Sequence, residues 1–196
     1  MKLKFERILK VMENYVAERD SVRVKVDEIN KNGTLSTLGK NGEIAKVENG
    51  FKVYQENCYK ECNKLIDSII EIVKTENDKP LDMASLSGLF AYISASGSAS
   101  DNDVVMNALK PHIGIIPELK AIYTACENNG VNEGIKATIR GYLYNLADVE
   151  STMKEACIMT FCGTASATSC SKKITQQAKL LGIDIVSTVR DEFSDE

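Results

Sequence analysis

The chain has no tryptophan, and aromatic residues make up only 6% of its 196 positions. Surfaces that stack single-stranded nucleic acid or sugars need exposed rings, so this scarcity argues against such functions. There is one histidine, His112, and a histidine-based metal cluster cannot be built from one imidazole. No apolar run approaches the roughly 20 residues that span a bilayer. The N-terminus is charged and mixed and lacks the apolar core of a secretion signal. These absences lead to the expectation of a soluble, cytoplasmic chain with no membrane partner and no cofactor. Its six cysteines are then expected as free thiols, ligands or core residues, since a reducing compartment disfavours disulfides. The glycine- and serine-rich loops lack the Gly-x-x-x-x-Gly-Lys-Ser/Thr phosphate loop and the Gly-x-Ser-x-Gly nucleophile elbow.

What is present is ordinary globular material: 43% hydrophobic and 27% charged residues, enough to bury a core without staples. The net charge of −4 is uneven, because residues 1–79 hold 15 basic and 14 acidic side chains while residues 80–196 hold 9 and 14. Lys2, Lys4, Arg7 and Lys10 against Glu6 form the one candidate basic patch for nucleic acid. The tail from Arg190 to Glu196 is acidic and is expected to be a solvated end.

Hydrophobic periodicity predicts a mainly α fold, a helical bundle. Leu3, Phe5, Ile8, Leu9, Met12, Tyr15 and Val16 mark a helix over 3–20. Val22, Val24 and Val26 then alternate with Arg23 and Lys25, and three Asn-Gly pairs follow at 32–33, 41–42 and 49–50. Such pairs favour hairpin turns, so a small β-hairpin element within 21–54 is one reading. The other extends the first helix to about Asn30 and leaves 31–48 as a loop. Phe51 to Val73 form an apolar stripe over 51–76, Pro80 opens a helix at about 81–94, and Ser100 with Asp103 suggests a capping box for 101–110. A helix from Pro117 ends at Asn129-Gly130. Ile135, Ile139, Tyr142, Leu143, Leu146, Val149, Met153, Cys157 and Phe161 then keep a 3–4 rhythm from an Asn132 cap to a Gly163 stop. They predict one long amphipathic helix over about 132–162, roughly 45 Å in length. A helix at 170–181 closes at Gly182, and Ile183, Ile185 and Val186 begin a strand or a last helix ending near Phe193. The expected organisation is an N-terminal helix-loop-helix region over 1–79 and a C-terminal helical region over 80–196, or one domain overall.

Candidate sites follow from spacing. Gly134, Thr138, Gly141 and Asn145 share one face of the expected long helix. A small-residue face admits a neighbouring helix at close range; glycines tolerated without a role are the alternative. Cys58 and Cys62 stand at i, i+4, and Cys157-x₄-Cys162 is a second arm for a metal or redox site. Both arms also sit in apolar stripes, where free cysteine is commonly core. Asp101-Asn102-Asp103 lacks the glycine and distal glutamate of a calcium loop. His112, between Pro111 and Ile113, is expected as a loop residue.

One stretch is similar to a known family. Residues 12–70 hold a helix, then Glu28-Ile29-Asn30-Lys31-Asn32-Gly33-Thr34-Leu35 and Lys40-Asn41-Gly42-Glu43-Ile44, then an amphipathic helix. This resembles a family of phage small terminase subunits, whose two helices flank a Gly-rich connection. It departs from that family where Ala45-Lys46-Val47-Glu48 stands in place of a proline-containing motif. The resemblance implies a ring-forming, DNA-recognising packaging protein of a phage, acting in the host cytoplasm without catalysis of its own. The residues themselves lead to a non-enzymatic helical interaction or assembly protein, oligomeric or held by a protein partner. A cysteine-dependent metal or redox protein is the further alternative.

Overall fold

The computed structural model describes residues 1–190, so the acidic tail from Asp191 onward lies outside the described residues. The described chain is mainly α, 80% helical, with eight α-helices and no strand among the described residues. None of these helices is long and apolar enough to cross a membrane.

Two helices dominate: α1 (Lys2–Lys31, 30 residues) and α2 (Thr37–Asn77, 41 residues), packed against each other. The β-hairpin expected within 21–54 is therefore corrected, as is the rival long loop over 31–48. Val22, Val26 and Ile29 are half-buried at i, i+4 and i+7, whereas Val24 faces outward at 56% exposure. The valine alternation is thus two faces of one helix, and pairing with α2 overrides the local β preference. Of the three Asn-Gly pairs, only Asn32-Gly33 makes the turn. The Asn32 Oδ1 accepts from the Thr34 backbone N–H at 2.9 Å and from its hydroxyl at 2.7 Å. Ser36 then caps α2 by accepting from the Gly39 N–H at 3.2 Å.

Gly42 and Gly50 lie inside α2, and a Cβ built on either meets nothing within 4 Å. Alanine there fits without repacking and removes backbone entropy from the unfolded chain. Gly42→Ala and Gly50→Ala should each stabilise this part of α2 by about 1 kcal/mol. Amide exchange over 37–57 should slow about fivefold per substitution; unchanged exchange would contradict helical packing here.

Two apolar cores organise the rest. The first is built by α1, α2, α7 (Leu146–Phe161) and α8 (Ala167–Leu180). Phe5, Ile8, Met12, Ile66, Ile69, Met153, Cys157 and Ile174 are fully buried in it. At its surface Lys154 of α7 reaches Asp67 of α2 at 2.7 Å and Glu150 at 2.7 Å. Hydrogen bonds donated to these two carboxylates push the pKa of the Lys154 ammonium up to about 12. A raised amine pKa means this tie is complete below the ordinary lysine value and is lost as pH rises through about 12. The second core is built by α3 (Met83–Ser96), α4 (Asn102–Leu109), α5 (Ile116–Asn128) and α6 (Glu133–Tyr142) around Leu86, Ile93, Leu109, Leu119, Ile122 and Ile135.

The single long helix over 132–162 is also corrected: it is α6 and α7, separated at Leu143–Asn145. Leu143 (φ −77°, ψ 117°) and Asn145 (φ −96°, ψ 124°) are extended. Ile135 and Ile139 serve the second core, while Val149, Met153, Cys157 and Phe161 serve the first. Each half keeps its own 3–4 rhythm, so the pattern runs on across the break. Asn145 is the local cause of the new start, its side chain accepting from the Ala147 N–H at 3.0 Å as an N-cap. Asp101, not Ser100, caps α4, accepting from Asp103 at 2.8 Å and Val104 at 3.1 Å. After α8 the chain over 183–190 is neither strand nor helix; it lays Ile183, Ile185 and buried Val189 on the first core.

Candidate functional site

The buried residues of α1 end at Val16, and those of α2 begin at Cys58. Every residue from Ala17 to Asn57 is partly or fully exposed. The tip of the α1–α2 hairpin is therefore an arm that projects beyond the first core. The 15 residues of α1 in it span about 22 Å. The arm carries seven basic and seven acidic side chains. Along α2 its outer face runs Leu38, Gly42, Ala45, Asn49 and Val53, all exposed and uncharged, at steps of three and four. Leu38 is 84% and Val53 60% exposed. A water-facing helix normally places charge on such a stripe.

The arm is anchored by aromatic residues. The Tyr15 ring stacks on Phe51 at 5.5 Å and meets Phe161 edge-on at 5.0 Å, and Phe51 lies 6.5 Å from Tyr54. The Tyr15 hydroxyl donates to the Phe161 carbonyl at 2.8 Å, and the Gln55 amide donates to the same oxygen. That carbonyl belongs to the last residue of α7, where helical acceptors lack partners. Burial pushes the Tyr15 phenol up; burial and then a hydrogen bond with Cys58 push Tyr54 up to about 12. Beside this root lies a cleft of about 410 Å³ lined by Lys52, Gln55, Glu56, Tyr59, Ile158, Phe161 and Cys162.

Three of the four candidate thiols stand in the first core, and the fourth opens to this cleft. Cys58, Cys62 and Cys157 are buried and Cys162 is exposed. The structure brings Cys62 and Cys157 together across α2 and α7: a hydrogen bond between their thiols, then burial, pushes Cys62 up. Burial pushes Cys58 up as well. Among the described residues no group of three or more His, Cys, Asp or Glu side chains is placed to hold a metal ion. Thiolate is the reactive form, and raised, buried thiols are inert. A disulfide-exchange reagent should therefore modify Cys162 alone in the native protein, about 100-fold or more faster than the other five. Two or more fast thiols would contradict this placement.

The remaining candidates are dispersed. Gly134, Thr138 and Gly141 lie on α6, but Asn145 belongs to the cap of α7, so the four no longer share one helix face. Thr138 and Gly141 border a cleft of about 530 Å³ facing Gln176, Gln177, Lys179 and Leu180 of α8. A Cβ on Gly141 would meet nothing within 4 Å, and one on Gly134 only Asn132 Oδ1 at 3.2 Å. Of the basic patch, Arg7 pairs with Glu61 at 2.6 Å and Lys10 with Glu13 at 2.7 Å, while Lys2 is exposed and Lys4 half-buried. His112 is buried rather than an open loop residue, its Nδ1 2.7 Å from Glu118 Oε2.

Sequence reasoning missed two features. The His112–Glu118 pair joins a 3-10 turn to the first turn of α5, and no motif spacing in the sequence marks it. The second is a polar node in which Tyr144 donates to the Gly114 carbonyl at 2.7 Å and the Asn77 amide donates to Tyr144 at 3.4 Å. The same Asn77 accepts from the Ile116 N–H at 2.9 Å. Its bonded partners are 30 or more positions apart, and no local pattern announces such a contact. No family model, no curated protein and no solved structure matches this chain.

Proposed function

We propose that this chain is a non-enzymatic helical assembly protein that associates with copies of itself through the projecting α1–α2 arm. The observation that carries this reading is the exposed, uncharged stripe from Leu38 to Val53 on an arm without a buried residue of its own. Two helices with only a half-buried seam leave much apolar surface in water, and burying it favours association. The equal numbers of acidic and basic side chains over Ala17–Asn57 suit a second copy, because no like-charge repulsion opposes pairing. A neutral arm also gains little from counterion release on a polyanion. Light scattering at micromolar concentration should give a mass at least twice the 21.6 kDa of one chain. A strict monomer throughout that range would count against self-association.

A further inference from the structure

The two cores meet along a narrow boundary bordered by open clefts. The main helix packings join α1, α2, α7 and α8 with one another, or α3, α4, α5 and α6 with one another. Three clefts of about 440, 480 and 530 Å³ draw their walls from both groups. These clefts open to the surface, so water reaches the edges of the boundary between the two bodies. The chain crosses it twice, at residues 78–82 between α2 and α3 and at Leu143–Asn145 between α6 and α7. The crossings lie side by side, since Asn77 at the end of α2 hydrogen-bonds Tyr144.

Polar bonds join the two bodies beside the crossings. The loop leading into α5 supplies the Gly114 carbonyl to the Tyr144 hydroxyl and the Ile116 N–H to the Asn77 side chain. The same loop crosses the end of α8 with Gly114 against Leu181 and Gly182 against Ile113. The two bodies keep separate apolar cores, and a contact of this kind permits relative motion by default.

We propose that α3–α6 forms a module that swings as a rigid body on the α1/α2/α7/α8 bundle, hinged at the paired crossings and latched by the Tyr144–Gly114 and Asn77–Ile116 hydrogen bonds. The motion opens and closes the three clefts while both cores stay intact. It does not depend on whether the arm associates.

The test is single-molecule energy transfer in the full chain. Dyes are placed through Asp103→Cys on α4 and Lys172→Cys on α8, in a Cys162→Ser background that leaves the other native thiols buried. The hinge predicts at least two distances that interconvert on the microsecond-to-millisecond scale. Tyr144→Phe removes one latch bond and should raise the open-to-closed ratio about fivefold. Asn77→Ser weakens the other latch bond and should act in the same direction, which keeps the test decisive if one variant fails to fold. Tyr123→Phe, away from the node, should leave the ratio unchanged. One narrow distance in the parent and in both latch variants overturns the proposal, even if those variants melt earlier, because Tyr144 and Asn77 then serve only to hold a fixed structure.

Discussion

Gly182→Ala is expected to destabilise the protein by about 3 kcal/mol or more, and Gly114→Ala by a similar amount. Gly182 has φ +73° and Gly114 φ +98°, both outside the range a side chain accepts easily. The crowding is worse than the torsion. A Cβ on Gly114 would stand 2.6 Å from the Leu181 carbonyl oxygen, and one on Gly182 would run into the Ile113 carbonyl oxygen. Both obstacles are backbone, so no side chain can turn away. Gly163 supplies the control, with φ +67° and open space around its Cβ position. Gly163→Ala carries only the torsional cost, on the order of 1 kcal/mol. For a chain of this size the melting temperature should fall by about 6–12 °C at Gly182 and about 2–4 °C at Gly163. Equal shifts at the two positions would contradict the close crossing of the loops.

Phe161→Ala is the second large effect, with an expected loss of about 4 kcal/mol. The ring is 2% exposed and meets Tyr15 edge-on at 5.0 Å, so its removal leaves a cavity and takes away an aromatic pair. Phe161 also stands at the root of the arm, where Tyr15 and Gln55 grip its carbonyl. Chemical denaturation should show the stability loss. Amide exchange should show protection falling first over residues 17–57, ahead of the second core, because Phe161 belongs to the first core. A uniform rise in exchange across both cores would mean that the arm is not a separate unit.

Much of the helical content was legible because amphipathic spacing is local. The stripe from Phe51 to Val73, the Asn132 cap and the glycine stops at Gly130 and Gly163 are all present, the last two with φ +65° and +67°. Of the two readings of the arm, the helix extending to about Asn30 matches α1, while the hairpin and the loop over 31–48 were misread for a physical reason. Val22-x-Val24-x-Val26 and the Asn-Gly pairs favour strands and turns in isolation, and only pairing of α1 with α2 makes both segments helical. The long helix was misread because periodicity records faces without recording which core each face meets. Asn145, a good N-cap residue, was the local hint of a break, but on a continuous stripe it passed as part of a small-residue face. Of the candidate sites, the meeting of Cys62 and Cys157 came from tertiary packing, and the Asn77–Tyr144–Gly114 node had no local signature. The exposed stripe from Leu38 to Val53 was hidden within residues expected to be hairpin or loop.

The most direct test of the arm as the assembly element is sedimentation of the parent chain beside Leu38→Lys/Val53→Lys. Both side chains are more than half exposed, so the substitutions should leave folding nearly unchanged. The account predicts an oligomer for the parent and a 21.6 kDa monomer for the double variant, with equal helicity. An unaltered oligomer in the double variant, or a monomeric parent at every micromolar concentration, would contradict it.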